Sequence, residues 1–471
     1  MSGEEGEGDV VTMSYSTEGA WPGSRRLRRL AEETPPQRDR WVDLLRALAI
    51  VLVVIGHWLA TVVTYDQDGF GGRHVLEVLP WAQALSWLFQ VMPVFFLVGG
   101  FANAASLRSS MSQGVRWQEW LFGRADRLLR PTTAFLVMVG ASAMVARALG
   151  AGPELIGRAV WLATIPLWFL AAYLPVTVLT PAMHALHRRW GLAVPVVLAI
   201  LVGVGDVARL GVQLPYGSAA NFLLMWLAVH QVGFAWQDGR LPTRWTAALP
   251  LAAGGAGCLV LLTAAGPYPV SMVAVPGAQV KNTSPPTIAL LSLAAAQTGL
   301  VLLLRKWGNR WLQRTRPWTA VVAVNAVILT MFLWHMTAVV VVAIALYPTR
   351  IFPQPQVGTA QWLLLRLPWL AILAAVLAFL VMLFGWMEWR ASPRSGRVRA
   401  EKDRSRRPAA RQRADTALTI AGLAGAQAGL VGVTLAGPEF HAPAGLPAGA
   451  LLAYLAGVVA MRLIQWRADR T

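Results

Sequence analysis

The sequence is short of charge and nearly without cysteine. Only 14% of its 471 residues are charged, against about a quarter in soluble globular domains, so a water-soluble protein is excluded as the simplest reading. The one cysteine, Cys258, rules out a disulfide framework or a cysteine zinc site within one chain. The seven histidines stand at scattered spacings that match no metal motif. Acidic residues are scarce as well: 23 Asp+Glu face 41 Lys+Arg, a net charge of +18. Such a balance suits nucleic-acid binding in a soluble protein. Here the basic residues cluster between long apolar runs, which is the pattern of membrane topology instead.

What is abundant is apolar sequence. Hydrophobic residues make up 56% of the chain and tryptophans number 22, with a mean hydropathy of +0.51. Apolar runs of about 18 residues or more recur along the chain, each long enough for a membrane helix. The tryptophans suit the two membrane interfaces. Twelve spans are expected, at 44–64, 81–105, 131–150, 159–183, 191–209, 219–236, 246–266, 286–304, 318–347, 361–387, 417–436 and 446–464. The fold class is therefore an all-α polytopic membrane protein with about 12 transmembrane helices. An even count puts both termini on one side. With that threading, 34 of the 41 Lys+Arg fall on the terminal side and 7 on the other. The positive-inside rule then makes both ends cytoplasmic, in the plasma membrane.

The chain divides into four parts. Residues 1–40 open acidic and end basic, and read as a disordered cytoplasmic tail, since a secretory signal places its apolar run nearer the start. Residues 41–390 hold ten spans. Residues 391–416 form a basic, Pro-containing cytoplasmic linker, and 417–471 a Gly/Ala-rich hairpin of two spans. No internal repeat is visible, and neither end adds a soluble catalytic domain.

The first span, RDRWVDLLRALAIVLVVIGHW, places Asp43 and Arg46 at its cytoplasmic edge and His57 deep in an apolar helix. Arg46 and His57 are eleven positions apart, about three turns plus 20°, so they share a face about 16 Å apart along the axis. Asp43 lies near the same face, three residues before Arg46, with Ile50 and Val53 between. An ionisable group inside a span marks function by default, and imidazole suits proton transfer near neutral pH. A neutral imidazole bonded to a neighbouring helix is the plainer alternative for His57, and an interfacial ion pair for Asp43 and Arg46.

These residues resemble acyltransferase family 3, the integral membrane acyltransferases. The first helix of that family is similar: an Asp, an Arg three residues on, then ten residues and a His. VMPVFFLVGGF (91–101) resembles its second helix, and FGRADRLLRP (122–131) its Arg-x-x-Arg element, carried by Arg124 and Arg127. PLWFLAAYL (166–174) and MFLWHM (331–336) resemble its Leu-Trp-Phe-Leu and later His-bearing helices. The likeness covers about 41–390 and leaves out the final hairpin. It implies that an acyl group, often acetyl, is taken from acyl-CoA on the cytoplasmic side. The acceptor is then a hydroxyl or amine of a sugar, glycan, lipid or small molecule. Acyl-CoA is a co-substrate in this reading, with no bound cofactor, metal or nucleic acid.

The physical reading is compatible with that expectation. CoA phosphates need cations at the cytoplasmic mouth, and guanidinium forks suit phosphate oxygens. Arg46, Arg124 and Arg127 are the candidate donor contacts, with Asp43 helping to organise the mouth and His57 as general base or transient acyl carrier. The alternative for the arginines is ordinary positive-inside charge.

His335, with Asn325 and Thr330 on its helix, is a secondary candidate for substrate binding, and Trp168 a third. Asn282, in the outer segment 274–291, is a possible sugar contact, and Asn282-Thr283-Ser284 also matches a glycosylation pattern. Gly99, Gly100 and Asn103 are read as packing or as room for a thioester. His230 is expected near a cytoplasmic helix end, and His74, His184 and His187 suggest no partner. The competing function is a multi-span transporter. Against it, no acidic residue stands in the middle of any span and no inverted repeat is visible.

Overall fold

The computed structural model describes residues 28–469, apart from 30, 36–37, 242–243, 387, 389–408 and 441. Most of the expected tail and linker, and His441, therefore lie outside the described residues. Fourteen helices of twelve or more residues are described. They are α1 (Arg40–Ala60), α2 (Met92–Ser112), α3 (Trp117–Ala148), α4 (Pro153–Thr164), α5 (Leu167–Trp190), α6 (Ala193–Asp206), α7 (Asn221–Gln237), α8 (Trp245–Ala264), α9 (Ile288–Trp311), α10 (Thr315–Ala326), α11 (Ile328–Leu346), α12 (Ala360–Phe384), α13 (Ala409–Leu435) and α14 (Ala448–Asp469).

Ten helical stretches among the described residues are long and apolar enough to cross a membrane. The polytopic all-α architecture thus holds, and ten of the twelve expected spans meet that length and hydropathy among the described residues. The expected span 219–236 corresponds to α7, which has only 17 residues. The expected span 446–464 corresponds to the apolar stretch Ala448–Leu463 of α14, itself shorter than the ten.

Three expected spans are reshaped by local chemistry. The span at 44–64 stops being helical at Ala60, where Thr61–Asp66 (β1) pairs antiparallel with Gly69–His74 (β2). The run Thr61-Val62-Val63-Thr64 is β-branched throughout, which favours a strand, and Gly69 has the positive φ that the turn requires. The span at 159–183 is two helices broken at Ile165-Pro166, because Pro166 cannot donate to the ladder. The span at 318–347 breaks at Val327 into α10 and α11.

Helices α2 and α7 approach most closely through glycine. A Cβ on Gly100 would lie 2.0 Å from the His230 carbonyl oxygen, and one on Gly233 would lie 2.2 Å from the Leu97 carbonyl oxygen. Only hydrogen fits at either position, as small-residue packing of membrane helices requires. Phe96, Leu97, Trp226 and Phe234 fill the surrounding core. The α2–α7 pair is thereby held backbone to backbone, and Phe96 of α2 also meets Phe169 and Tyr173 of α5.

A candidate active site between the first and eleventh helices

Helix α1 is locked at its Arg46 end. The Asp39 carboxylate accepts from the Trp41 amide at 3.1 Å and from Arg305 at 2.8 Å. The Trp41 indole donates to the Val301 carbonyl of α9 at 3.1 Å, and a Cβ on Gly308 would press 2.1 Å from its ring. Asn325 of α10 donates to the Asp43 backbone carbonyl at 2.9 Å. The buried Asp43 carboxylate accepts from Arg38 Nε at 2.6 Å and stands 3.6 Å from Arg46. Its hydrogen bond holds the Arg38 guanidinium above the ordinary value, against the desolvation that opposes it. Asp43 and Arg46 are therefore an ion pair, and Arg38 joins it.

Arg124 and Arg127 lie inside helix α3, beyond its first turn. Arg124 donates to the Ala102 carbonyl at 3.3 Å and sits over the Trp120 ring at 5.7 Å, with its Nε buried and unbonded. Arg127, Tyr173 and Arg46 are near enough to act on the Arg124 charge. The structure thus brings Arg46, Arg124 and Arg127 to one neighbourhood, contributed by α1 and α3. The Arg124 charge faces the like charges of Arg127 and Arg46, with Arg46 also paired to Asp43.

Farther along α1, the shared face is as expected: Ile50 and Val53 are buried between Arg46 and His57. The His57 ring meets the ring of His335 on α11, with centroids 5.1 Å apart and planes tilted by 57°. His57 Nδ1 lies 2.9 Å from the Val53 carbonyl oxygen. His335 Nδ1 lies 2.6 Å from the Phe332 carbonyl oxygen. A carbonyl can only accept, so each Nδ1 carries its proton and each Nε2 keeps a lone pair. His335 Nε2 is buried with no partner, and His57 Nε2 makes no hydrogen bond among the described residues. The neighbouring Trp58 indole donates to the His335 carbonyl at 2.9 Å, tying the two helices at this level.

Helix α11 is itself held from outside. The break at Val327 leaves its first amides without partners, and Glu388, beyond α12, supplies them. Its carboxylate accepts from the Leu329 amide at 3.1 Å, the Thr330 amide at 3.0 Å and the Thr330 hydroxyl at 2.9 Å. A negative charge at a helix N-terminus also meets the helix dipole favourably.

The other candidates separate. Asn282 is fully buried, and its amide donates to the Pro269 and Ser271 carbonyls at 2.8 and 2.9 Å. Its oxygen accepts from Thr287 at 2.7 Å. Both amide hydrogens are taken, so Asn282 organises the loop before α9 and has no face for a sugar or for glycosylation. Trp168 is half-buried in the first turn of α5, packed on the core near Phe169. Phe169 in turn touches Phe332, whose ring is 5.8 Å from that of His335.

His230 lies well inside α7, fully buried, rather than at a helix end. Its Nε2 stands 3.2 Å from the Asn103 amide nitrogen, which is also 3.5 Å from the Tyr173 hydroxyl. His187 Nε2 binds Asp238 at 3.1 Å, and Arg108 pairs with the same carboxylate. Burial pushes the Asp238 carboxyl up, but the Arg108 hydrogen bond and charge outweigh it and hold the group below its usual value. His74 caps the short helix Val75–Val78 through Leu76. Among the described residues there is no cluster of three or more His, Cys, Asp or Glu side chains able to hold a metal ion.

A polytopic helical protein with facing imidazoles in its core and a cluster of arginines at one end has the makings of a membrane group-transfer enzyme. The acyltransferase family 3 model, an acyltransferase domain, matches residues 39–387, and the chain belongs to that family of membrane acyltransferases. No curated protein and no solved structure matches the chain. The matched region ends before α13 and α14.

Proposed function

We propose that this acyltransferase moves an acyl group, acetyl in the simplest case, from acyl-CoA to a hydroxyl or amine. The acceptor belongs to a sugar, glycan, lipid or small molecule of the cell envelope. The carrying observation is the His57–His335 pair: two imidazoles at 5.1 Å, each with Nδ1 fixed on a backbone carbonyl and Nε2 unbonded. Fixed tautomers with unbonded Nε2 lone pairs suit a general base or a nucleophile. In the direct route, His57 Nε2 takes the acceptor proton as the acceptor atom attacks the thioester carbonyl. The thiolate of CoA leaves and recovers a proton from the imidazolium. In the covalent route, Nε2 attacks the thioester carbonyl and expels the CoA thiolate. The acceptor then attacks the acyl-imidazolium, the bond to Nε2 breaks, and the acceptor proton passes to the thiolate through the freed imidazole.

Arg46, Arg124 and Arg127 would hold the CoA phosphates, with the donor entering from the cytoplasm. The basic-residue split supports both termini in the cytoplasm and a plasma-membrane location. The roughly 16 Å along α1 from Arg46 to His57 suits a donor with charges at the surface and a thioester projecting inward.

The test is radiolabelled acetyl-CoA added to inverted vesicles that contain the protein, with His57→Ala as control. Label incorporated into an envelope glycan or lipid, and absent with His57→Ala, supports the reading. Solute accumulation without label transfer favours the transporter instead.

A further inference from the structure

Helices α3 and α5 of the matched region each carry internal proline, and the C-terminal pair α13–α14 meets both near those positions. Helix α5 contains Pro175, which has no N–H to return to the carbonyl four residues earlier, that of Ala171. Gln427 of α13 donates its side-chain amide to that same Ala171 oxygen at 2.7 Å. Helix α3 contains Pro131. Beside it the Tyr454 hydroxyl of α14 lies 3.1 Å from the Leu129 carbonyl oxygen and 3.0 Å from the Thr133 hydroxyl. Tyr454 is fully buried, so these contacts are made away from water.

The pair is itself built for rigid docking. A Cβ on Gly457 would lie 2.4 Å from the Gly422 carbonyl oxygen, and one on Gly429 would lie 2.5 Å from that of Ala450. The two helices are thereby held backbone to backbone. Phe440, in the segment joining them, brings its carbonyl within 2.9 Å of where a Cβ on Gly157 of α4 would stand. The pair lies against α3, α4 and α5 together.

We infer that α13–α14 is an internal clamp whose docking surface is the face of α3 and α5 that carries Leu129 and Ala171. Gln427 supplies the donor that Pro175 withholds from Ala171, and Tyr454 adds a bond to the Leu129 carbonyl two residues before Pro131. In hydrocarbon an unbonded carbonyl is costly, and neighbouring helices are the usual source of replacement partners. The clamped helices carry Arg124 and Arg127 on α3 and Tyr173 on α5. The clamp therefore fixes the frame of the candidate donor mouth although it lies outside the family region. The inference rests on hydrogen-bond geometry and stands independently of the acyl-transfer reading.

The test is a double-mutant cycle on the full-length protein, read as the thermal unfolding midpoint in detergent. Gln427→Leu keeps bulk and removes the donor, and lowers the midpoint by about 3 °C. Pro175→Ala returns an N–H for the Ala171 carbonyl, so in that background Gln427→Leu shifts the midpoint by less than about 1 °C. Equal losses in the two backgrounds overturn the inference. Tyr454→Phe, which keeps the ring, reads the second seam and lowers the midpoint by about 2 °C. An unchanged midpoint for both Gln427→Leu and Tyr454→Phe overturns it as well.

Discussion

His57 and His335 come from opposite ends of the matched region, yet their rings lie 5.1 Å apart, and the residue beside one is bonded to the backbone of the other. The Trp58 indole fixes the level at which α1 and α11 cross, so the two imidazoles are aligned by a hydrogen bond that neither of them makes.

That pairing gives the second histidine a defined consequence. With His57 as the base or nucleophile, His57→Ala is expected to abolish transfer. His335→Ala leaves helix insertion intact and lowers kcat by about 10²-fold, within the usual range for a positioned acid–base group, with little change in donor KM. Steady-state kinetics on purified protein check this. Full activity in His335→Ala would make its ring a packing group and leave His57 to act alone.

The arginine cluster predicts the opposite kinetic pattern. Arg124 has an unbonded, buried Nε and the like charges of Arg46 and Arg127 nearby. Charge-assisted hydrogen bonds contribute about 1.5–3 kcal/mol each. Arg124→Ala should therefore raise KM for acetyl-CoA by about 10- to 100-fold, with kcat less affected. An acyl-pantetheine donor, which lacks the nucleotide phosphates of CoA, should lose little between the two proteins. A KM penalty of the same size on both donors would remove phosphate recognition from the role of Arg124.

Glu388 is predicted to act through α11. Its two oxygens accept from the Leu329 and Thr330 amides, one each, and Oε2 also from the Thr330 hydroxyl. Glu388→Gln offers one acceptor oxygen in place of two, and Glu388→Ala offers none. The expected order of unfolding midpoint is wild type above Gln above Ala, with the Ala variant losing about 0.5–2 kcal/mol, as for other helix caps. Equal stability across the three proteins would show that water serves these amides equally well.

Much of the site was legible in sequence because its period is that of one helix. The stripe from Asp43 through Arg46 to His57 needs only 3.6 residues per turn, and Ile50 and Val53 are buried where that period puts them. The His57–His335 contact was not legible, since it depends on how α1 and α11 cross. The ion pair at Asp238, joining Arg108 and His187 from three segments, has no local signature for the same reason. Gly100 was visible as a small residue, but the identity of its neighbour, the His230 carbonyl, was set by packing. Apolar content likewise cannot say whether a run is one helix or two. The breaks at Ile165-Pro166 and Val327, and the strand that begins at Thr61, are local events within runs of continuous hydrophobicity.

The β1–β2 hairpin carries the last prediction, which concerns pH. His74 ends β2, and its Nδ1 accepts from the Leu76 amide at 3.3 Å to cap the helix Val75–Val78. Accepting requires an unprotonated Nδ1. Desolvation by burial lowers the His74 pKa below the ordinary histidine value, although the nearby Glu77 charge pulls it up. A histidine with a depressed folded-state pKa contributes stability that is fully present above its unfolded value, about 6.5. That contribution is lost as pH falls through 6.5 toward the folded value. Amide hydrogen exchange at Leu76 and the residues after it, corrected for intrinsic chemistry, should therefore accelerate between pH 7.5 and pH 5. The acceleration should vanish in His74→Asn, whose side-chain oxygen caps the same amide without titrating. Equal pH dependence in the two proteins would assign the change to some other group.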